Sequence, residues 1–130
     1  LIDAGKRGVD VHVMLPGESD HGFSHMAARA KYPKMMDAGV RIYEYPGFNH
    51  GKFMVVDDEK VSIGSSNLDA RSLEYNDECN IFAVDKEAAQ DLQARVFDKN
   101  RPNCERVNGD AKCRVDGVYA YVLNKAMDYL

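Results

Sequence analysis

The sequence predicts an α/β fold in which a mixed β-sheet is flanked by helices. Segments that alternate apolar and polar residues, as strands do, are interspersed with segments whose apolar residues recur at helical spacing. With 130 residues and a hydrophobic content of 45%, the chain can bury one core, and its length does not suggest two domains. We therefore expect one lobe over residues 1–99, followed by a polar loop and a C-terminal amphipathic helix over 100–130.

The first predicted elements are the end of a helix and a strand. Residues 1–8 have the composition of a last helical turn that ends at glycine. Because the chain does not begin with Met, we expect that part of the lobe precedes it. Residues 9–15 alternate as a strand, with Val9, Val11 and Val13 on one face and His12 on the other.

After a loop over residues 16–20, a helix is predicted over residues 24–38. Pro33 should kink or split this helix because proline has no backbone N–H, and Gly39 should end it. The residues expected to point inward are Met26, Ala30, Met35 and Met36.

Four further strands are predicted from apolar and β-branched runs, over residues 40–45, 49–57, 60–64 and 79–84. The second and third of these are separated by a polar turn and should pair antiparallel.

The C-terminal part of the chain should begin with a helix capped by Asp85. We expect a loop over residues 100–116, where no apolar period occurs, and an amphipathic helix over 118–130. The residues at helical spacing after the cap are Ala89, Leu92 and Val96.

The most informative feature is an ordered set of polar residues in and after two of these strands. In sequence order they are His50, Lys52, Asp57, Gly64, Ser65 and Asn67. Side chains two apart on a strand point to the same face, so the first two should project together. The returning strand should bring the Gly-Ser-Ser-Asn segment close to His50.

These residue types suit the chemistry of a phosphodiester. Lys52, the Asn67 amide and the hydroxyl or backbone N–H of Ser65 can hold non-bridging oxygens. His50 can attack phosphorus or protonate a leaving oxygen. Gly64 lets the backbone approach an anion closely. This chemistry requires no metal or cofactor, and we expect none.

Each of these residues has a simpler explanation when it is taken alone. A His beside a Lys is usually a pair of exposed surface residues without a catalytic role. Gly-Ser-Ser-Asn is usually a turn, and Asp57 with Asp58 is usually a solvated hairpin tip. Their joint spacing is what favours a functional site. Asp69 and Arg71, which follow the set, are expected to have a structural role.

Residues 50–57, His-Gly-Lys-Phe-Met-Val-Val-Asp, and residues 64–67, Gly-Ser-Ser-Asn, resemble the signature of the phospholipase D superfamily. The similarity runs from about residue 1 to about residue 97. Gly51 stands where the family more usually has Ala, a change that removes one methyl group. The flanking segments that resemble the second catalytic lobe of bacterial cardiolipin synthases are residues 38–48, 67–73 and 76–80.

The resemblance implies an incomplete phospholipase D-like lobe that works opposite a second lobe, in the same polypeptide or in a dimer partner. In such enzymes one His becomes a phosphohistidine and the other acts as general acid and then base, and both roles stay open for His50. The implied catalytic set is His50, Lys52, Asp57 and Glu78. Glu78 would orient His50, and Asp57 would be a structural rather than a chemical carboxylate.

The resemblance also implies a reaction, the transfer of a phosphatidyl group between a phospholipid and an alcohol. The expected substrate is phosphatidylglycerol, and the expected location of the intact protein is the cytoplasmic membrane. No apolar run in the sequence approaches the roughly 20 residues needed to span a bilayer.

Three alternatives to that function are considered. A phospholipase D-type hydrolase and a nuclease of the same superfamily use the same kind of site. The net charge of −4 and the scattered positive residues argue against a nucleic-acid binder. The presence of His50, Lys52 and Asn67 together argues against a non-catalytic scaffold.

The cysteines suggest only local roles. Cys79 is expected to be a small buried residue of a core strand, whereas Cys104 and Cys113 could pair in an oxidising compartment. A zinc site that includes His21 and His25 is disfavoured because the sequence has no Cys-x-x-Cys pair.

Overall fold

The structure is a computed structural model, and it describes residues 1–18 and 22–109. Helices alternate with strands, which confirms the predicted α/β class. Within these residues the chain divides into two compact units, one formed by residues 1–18, 22–49 and 103–109 and one by residues 50–102. The predicted helix 118–130 and the residues Cys113 and His21 lie outside the described residues.

The first unit contains a three-stranded sheet of mixed direction. Strand β1, His12–Pro16, runs parallel to β2, Arg41–Tyr45, with Met14 opposite Tyr43. Strand β6, Glu105–Arg106, adds to the other edge of β2 in the antiparallel direction. The helices of this unit are α1, Ile2–Lys6, α2, Gly22–Ala30, and α3, Tyr32–Asp37.

The break between α2 and α3 has the predicted cause. Pro33 lies in the first turn of α3, where its missing N–H would have no partner in any case, and the long helix is split before it. After α3, Gly39 adopts a positive φ of 87°, the left-handed conformation that glycine tolerates, and it ends the helix as predicted.

The core of the first unit consists of Tyr32, Val40, Ile42 and Val107. The apolar side chains that pack against it are Val11, Val13, Leu15, Met35 and Met36, while His12 lies on the opposite face of β1 and is exposed.

Three predictions for the first unit were wrong. Val9 precedes β1 and is 48% exposed, and Met26 on α2 is 46% exposed. The predicted loop 100–116 contains a short 3₁₀ turn, Arg101–Asn103, and strand β6. The strand forms because the next residue, Val107, is buried in the core and its N–H donates to the carbonyl of Ile42 at 3.0 Å.

The second unit contains an antiparallel three-stranded sheet in the order β3, β4, β5. These strands are Lys52–Val56, Lys60–Gly64 and Asn80–Val84. The predicted hairpin of β3 and β4 is confirmed. Between β4 and β5 lies a short helix that the sequence did not predict, α4, Ala70–Glu74, and Asp69 caps it by accepting from the N–H of Ser72 at 2.8 Å.

Helix α5, Lys86–Leu92, follows β5 and packs on one face of this sheet. As predicted, Asp85 caps it, accepting from the N–H of Ala88 at 3.0 Å. Ala89 is fully buried, and Val61 of β4 is buried as well. The helix continues as a π-helical segment, Gln93–Asp98.

The opposite face of the second sheet carries apolar side chains that no described element covers, and we call it the open face. Strand alternation and the β3–β4–β5 register place Met54, Val56, Phe82 and Val84 on it. All four are exposed, Phe82 and Val84 by 71% each. The prediction that Cys79 is a buried core residue was wrong, because it is exposed just before β5.

Candidate active site

The hairpin of β3 and β4 gathers most of the predicted site residues at one end of the second sheet. Lys52, the first residue of β3, pairs with Gly64, the last residue of β4, and Gly64 in turn faces Asn80, the first residue of β5. At this end of the sheet, His50 therefore lies just before the start of β3 and Ser65 just after the end of β4. Three strand ends meet there.

His50 lies two residues before β3, so the predicted strand was too long at its start. The Lys52 ammonium donates a hydrogen bond to the backbone carbonyl of His50 at 2.7 Å. This bond holds the lysine against the segment that carries the histidine. The Lys52 cation and the backbone of His50 are thus next to each other at the end of the sheet.

Asp57 is not part of this cluster. It begins the turn between β3 and β4, at the end of the hairpin opposite Lys52, and strand β3 separates the two by about 16 Å at roughly 3.3 Å per residue. Asp57 and Asp58 adopt φ values of 55° and 51°, which Asp tolerates in tight turns. The structure therefore places Asp57 in the turn, at the end of the hairpin away from Lys52.

Ser65 connects β4 to β5 through three hydrogen bonds. Its N–H donates to the carbonyl of Cys79 at 3.1 Å, and its hydroxyl oxygen accepts from the Cys79 N–H at 3.1 Å. The hydroxyl itself donates to Oε2 of Glu78 at 2.5 Å. Ser65 and Glu78, which are thirteen residues apart in the chain, are therefore neighbours at the end of the sheet.

Glu78 is fixed through both of its carboxylate oxygens. While Oε2 accepts from Ser65, Oε1 accepts from the side-chain amide of Asn76 at 3.2 Å. The hydrogen bond from Ser65 lowers the pKa of Glu78 below its ordinary value of 4.5, and Asn76, Ser72 and the positive charge of Lys52 act in the same direction. Glu78 is consequently an anion at neutral pH, in the electric field of the lysine.

Gly64 is required by the packing of the sheet end. A Cβ at this position would collide with the side-chain oxygen of Asn80 and with the carbonyl oxygen of Cys79, both in the chain that forms or leads into β5. The same Asn80 oxygen accepts from the N–H of Ser66 at 3.3 Å. Any larger residue at position 64 would push β5 away and would disturb the Ser65–Glu78 bond.

Gly51 has a similar steric reason to be glycine. A Cβ there would collide with the ring of Phe53, which lies across the position. The contact involves only the far end of the Phe53 side chain and no backbone atom. An Ala would require the Phe53 side chain to move.

Two residues of the site were not given a role by the sequence. Asn76 donates a hydrogen bond to Glu78, and Asn80 accepts one from Ser66. Neither role follows from the sequence alone, because both depend on the register of β4 and β5. Asn67, which follows Ser66 in the chain, is exposed. The predicted residues that the structure brings to one end of the sheet are His50, Lys52, Gly64, Ser65 and Glu78.

Within residues 1–18 and 22–109, no group of three or more His, Cys, Asp or Glu side chains has an arrangement that could hold a metal ion. No helix in these ranges is long and apolar enough to cross a membrane.

Comparison with known families and proteins gives consistent matches. The family model described as "Cardiolipin synthase, PLD-like domain" matches residues 1–99. Cardiolipin synthase 1 of Staphylococcus aureus (strain COL) is 44% identical over 91 residues, which are 69% of this chain and 18% of that protein. The Bacillus subtilis protein named probable cardiolipin synthase YwiE is 35% identical over 109 residues, 83% of this chain and 22% of that protein. The chain thus spans about a fifth of the length of these relatives.

Among solved structures, the chain is similar to a phospholipase D family member, Nuc, from Salmonella typhimurium. The TM-score is 0.71 with 21% sequence identity, over 84% of this chain and 71% of that one. At this level of identity the likeness concerns the fold alone.

Proposed function

Because this chain belongs to the cardiolipin synthase, phospholipase D-like family, we propose that the protein is an enzyme that transfers a phosphatidyl group from a phospholipid to an alcohol. The observation that supports this most directly is the meeting of the His50–Lys52 segment with Gly64 and Ser65 at one end of the second sheet. The histidine supplies an acid-base group and the lysine a cation, and we propose that the amide of Asn67, two residues after Ser65, reaches the same phosphate. The chemistry of a phosphodiester uses all three groups.

In the proposed reaction a histidine nitrogen attacks phosphorus and forms a P–N bond while the P–O bond to the leaving alcohol breaks. A second histidine gives its proton to the leaving oxygen, and later takes a proton from the acceptor alcohol as that oxygen displaces the histidine nitrogen. We assign His50 to the proton transfers and place the phosphohistidine on a second lobe. Glu78, as an anchored anion, is proposed to orient His50.

Lys52 and Asn67 are proposed to bind the phosphate. The ammonium group can compensate the charge of the non-bridging oxygens, which grows in the transition state, and the Asn67 amide can donate a hydrogen bond to one of them. The carbonyl of His50 accepts one hydrogen bond from the Lys52 ammonium at 2.7 Å. An ammonium group has three donors, so the other two can bind phosphate.

We further propose that residues 1–99 are the catalytic lobe, that a second phospholipase D-like lobe completes the site, and that the intact protein works at the cytoplasmic membrane. The family match over residues 1–99 supports the extent of the lobe. The names of the Staphylococcus and Bacillus relatives support a phospholipid substrate, with phosphatidylglycerol as the first to test.

The test is lipid analysis by mass spectrometry after the full-length protein has been given phosphatidylglycerol. We expect cardiolipin to form with the wild-type protein and to fall at least about a hundredfold with His50→Ala, because general acid–base catalysis typically contributes that much. The variant Asp58→Asn, in the turn at the far end of the hairpin and outside the predicted catalytic set, is the matched control and should stay within about twofold of wild type.

Three other outcomes would change the proposal. Phosphatidic acid without cardiolipin would identify a hydrolase of the same family. Equal loss in the Asp58→Asn and His50→Ala variants would contradict a specific catalytic role of His50. A folded protein that turns over no lipid would contradict the lipid proposal and lead to nuclease assays.

A further inference from the structure

We propose that Ser65 is a positioning residue that holds Glu78, and that it does not bind the substrate phosphate. This inference rests on the proposed function, since it divides the roles within the same site. It changes the expectation from the sequence, which placed the hydroxyl or the N–H of Ser65 on a non-bridging oxygen. Phosphate binding then falls to Lys52 and Asn67.

The first argument is a count of hydrogen-bond donors. A serine has two donors, its backbone N–H and its hydroxyl. The N–H of Ser65 is used by the carbonyl of Cys79 at 3.1 Å, and the hydroxyl hydrogen is used by Glu78 at 2.5 Å. Because a carboxylate only accepts, the hydrogen between Ser65 and Glu78 belongs to the serine. Neither donor of Ser65 is left for a phosphate oxygen, which is also only an acceptor.

The second argument concerns the strength of the bond that would have to break. Hydrogen bonds from a hydroxyl to a carboxylate are short and stronger than neutral ones, and 2.5 Å lies at the short end of their range. Turning the hydroxyl towards a phosphate would remove the main partner of Glu78 while a second negative charge arrived beside it. Both effects oppose the turn.

The third argument is that the surroundings of Ser65 fix its direction. Its hydroxyl oxygen accepts from the Cys79 N–H at 3.1 Å, so the oxygen is held from the β5 side while its hydrogen points to Glu78. The absent Cβ of Gly64 allows β5 to come this close. Asn76 holds the other oxygen of the same carboxylate. The remaining lone pairs of Glu78 therefore keep a fixed direction in which they can orient a donor group such as His50.

The test compares Ser65→Ala with the conservative variant Ser65→Thr, which keeps a hydroxyl, and with Asn67→Ala. In the 130-residue chain we would measure inorganic phosphate binding by 31P NMR and the titration of the Glu78 carboxylate by 13C NMR. We expect Ser65→Ala to leave phosphate affinity within about twofold but to raise the pKa of Glu78, and Ser65→Thr to restore it. Asn67→Ala should weaken phosphate binding about tenfold and leave the titration of Glu78 unchanged.

In the full-length protein, Ser65→Ala should lower kcat about tenfold with little change in KM, and it should move the acid limb of the kcat–pH profile. In a Glu78→Gln background the same change should have almost no further effect, because the two residues act as a unit. Additive losses in this cycle would overturn the proposal. So would a loss of phosphate affinity in Ser65→Ala as large as in Asn67→Ala.

The two proposals fail in different ways. If wild-type protein turns over no lipid and binds no phosphate, the proposed function fails, yet the titration of Glu78 with and without Ser65 still decides the role of the serine. If lipid turnover is found but Ser65→Ala leaves the titration of Glu78 unchanged, the positioning role alone is excluded. A Ser65→Ala protein that does not fold would leave the decision to Ser65→Thr, in which the Glu78 titration must match wild type.

Discussion

The site depends on single atoms that lie between strand ends, and several of them are backbone atoms. The Cys79 amide and carbonyl both contact Ser65, whereas the Cys79 thiol is exposed. Gly64 is needed because it has no Cβ, and a Cβ at this position would collide with Asn80. At this scale a residue type alone says little about a role.

The sequence was informative where the role follows from local spacing. The sequence predicted that the segment 64–67 lies close to His50 and Lys52. An antiparallel hairpin brings the start of its first strand next to the end of its second strand. The position of Ser65 at this end of the sheet could be predicted, but its bonds to Cys79 and Glu78 could not, because they depend on the pairing of β4 with β5. That register cannot be derived from the spacing within one hairpin.

Glu78 leads to a prediction about pH. The Ser65 hydrogen bond lowers the pKa of Glu78 in the folded protein, so the ionised carboxylate stabilises the fold at pH values above its ordinary pKa of 4.5. This contribution is lost as the pH falls through the lowered folded value. We expect Glu78→Gln to be less stable than wild type at pH 7, and the difference in Tm to shrink steadily below pH 4.5.

The measurement is thermal unfolding of both proteins between pH 7 and pH 3, followed by circular dichroism. Glu74→Gln, which alters an exposed glutamate on α4, is the matched control and should show no such convergence. A constant difference between wild type and Glu78→Gln over the whole range would contradict the assignment.

At the scale of elements, α2 is joined to β2 by a buried ion pair. Glu44 is only 4% exposed and accepts from Arg29 through both oxygens, at 2.8 and 2.9 Å. The Tyr32 hydroxyl adds a third hydrogen bond at 3.2 Å. The hydrogen bonds with Glu44 raise the pKa of Arg29, so the arginine stays charged. The polar contact is therefore fully satisfied within the first unit.

Elements were predictable where a strong local signal marked their ends. Pro33, Gly39 and Asp85 each ended or began a helix as expected. Strand β6 was missed because it has only two residues, and its pairing with β2 depends on contacts that are distant in sequence. Helix α4 was missed for a related reason, since five residues show no helical period and only the cap at Asp69 marks its start.

The ion pair predicts unequal effects of two arginine substitutions. Arg29→Met leaves the Glu44 carboxylate buried without its cation, and we expect a loss of about 3 kcal/mol in the free energy of unfolding. Arg41→Met removes an ion pair between exposed side chains, since Arg41 is 44% and Asp10 is 66% exposed. It should lower the free energy of unfolding by less than about 1 kcal/mol. Urea unfolding of the two variants and of wild type measures both values. Losses of similar size would show that burial does not set the strength of the Arg29–Glu44 pair.

For the whole molecule, the notable property is how much apolar surface the second unit exposes. The open face is lined by four apolar side chains, and they border a groove that also includes Lys60 and Ser62. Alternation along β3 and β5, together with the register of the sheet, places these side chains on one face, but no pattern within the sequence says whether a face is covered. Burial of Cys79 was wrongly expected for the same reason.

The open face predicts that the 130-residue chain binds hydrophobic dyes and self-associates, because exposed apolar patches of this kind promote both. Phe82→Ser should reduce the fluorescence of bound anilinonaphthalene sulfonate by about half, since an aromatic ring supplies the largest apolar area of the four side chains. Its Tm should change little, because Phe82 is already 71% exposed in the folded protein.

The matched control is Ile81→Ser. Ile81 lies on the same strand and is 69% exposed, but it points to the opposite face, so its substitution should reduce the fluorescence less. Sedimentation velocity on the three proteins then shows whether association follows the dye signal. Equal effects of the two substitutions on dye binding and association would mean that general surface hydrophobicity, and not the groove of the open face, is responsible.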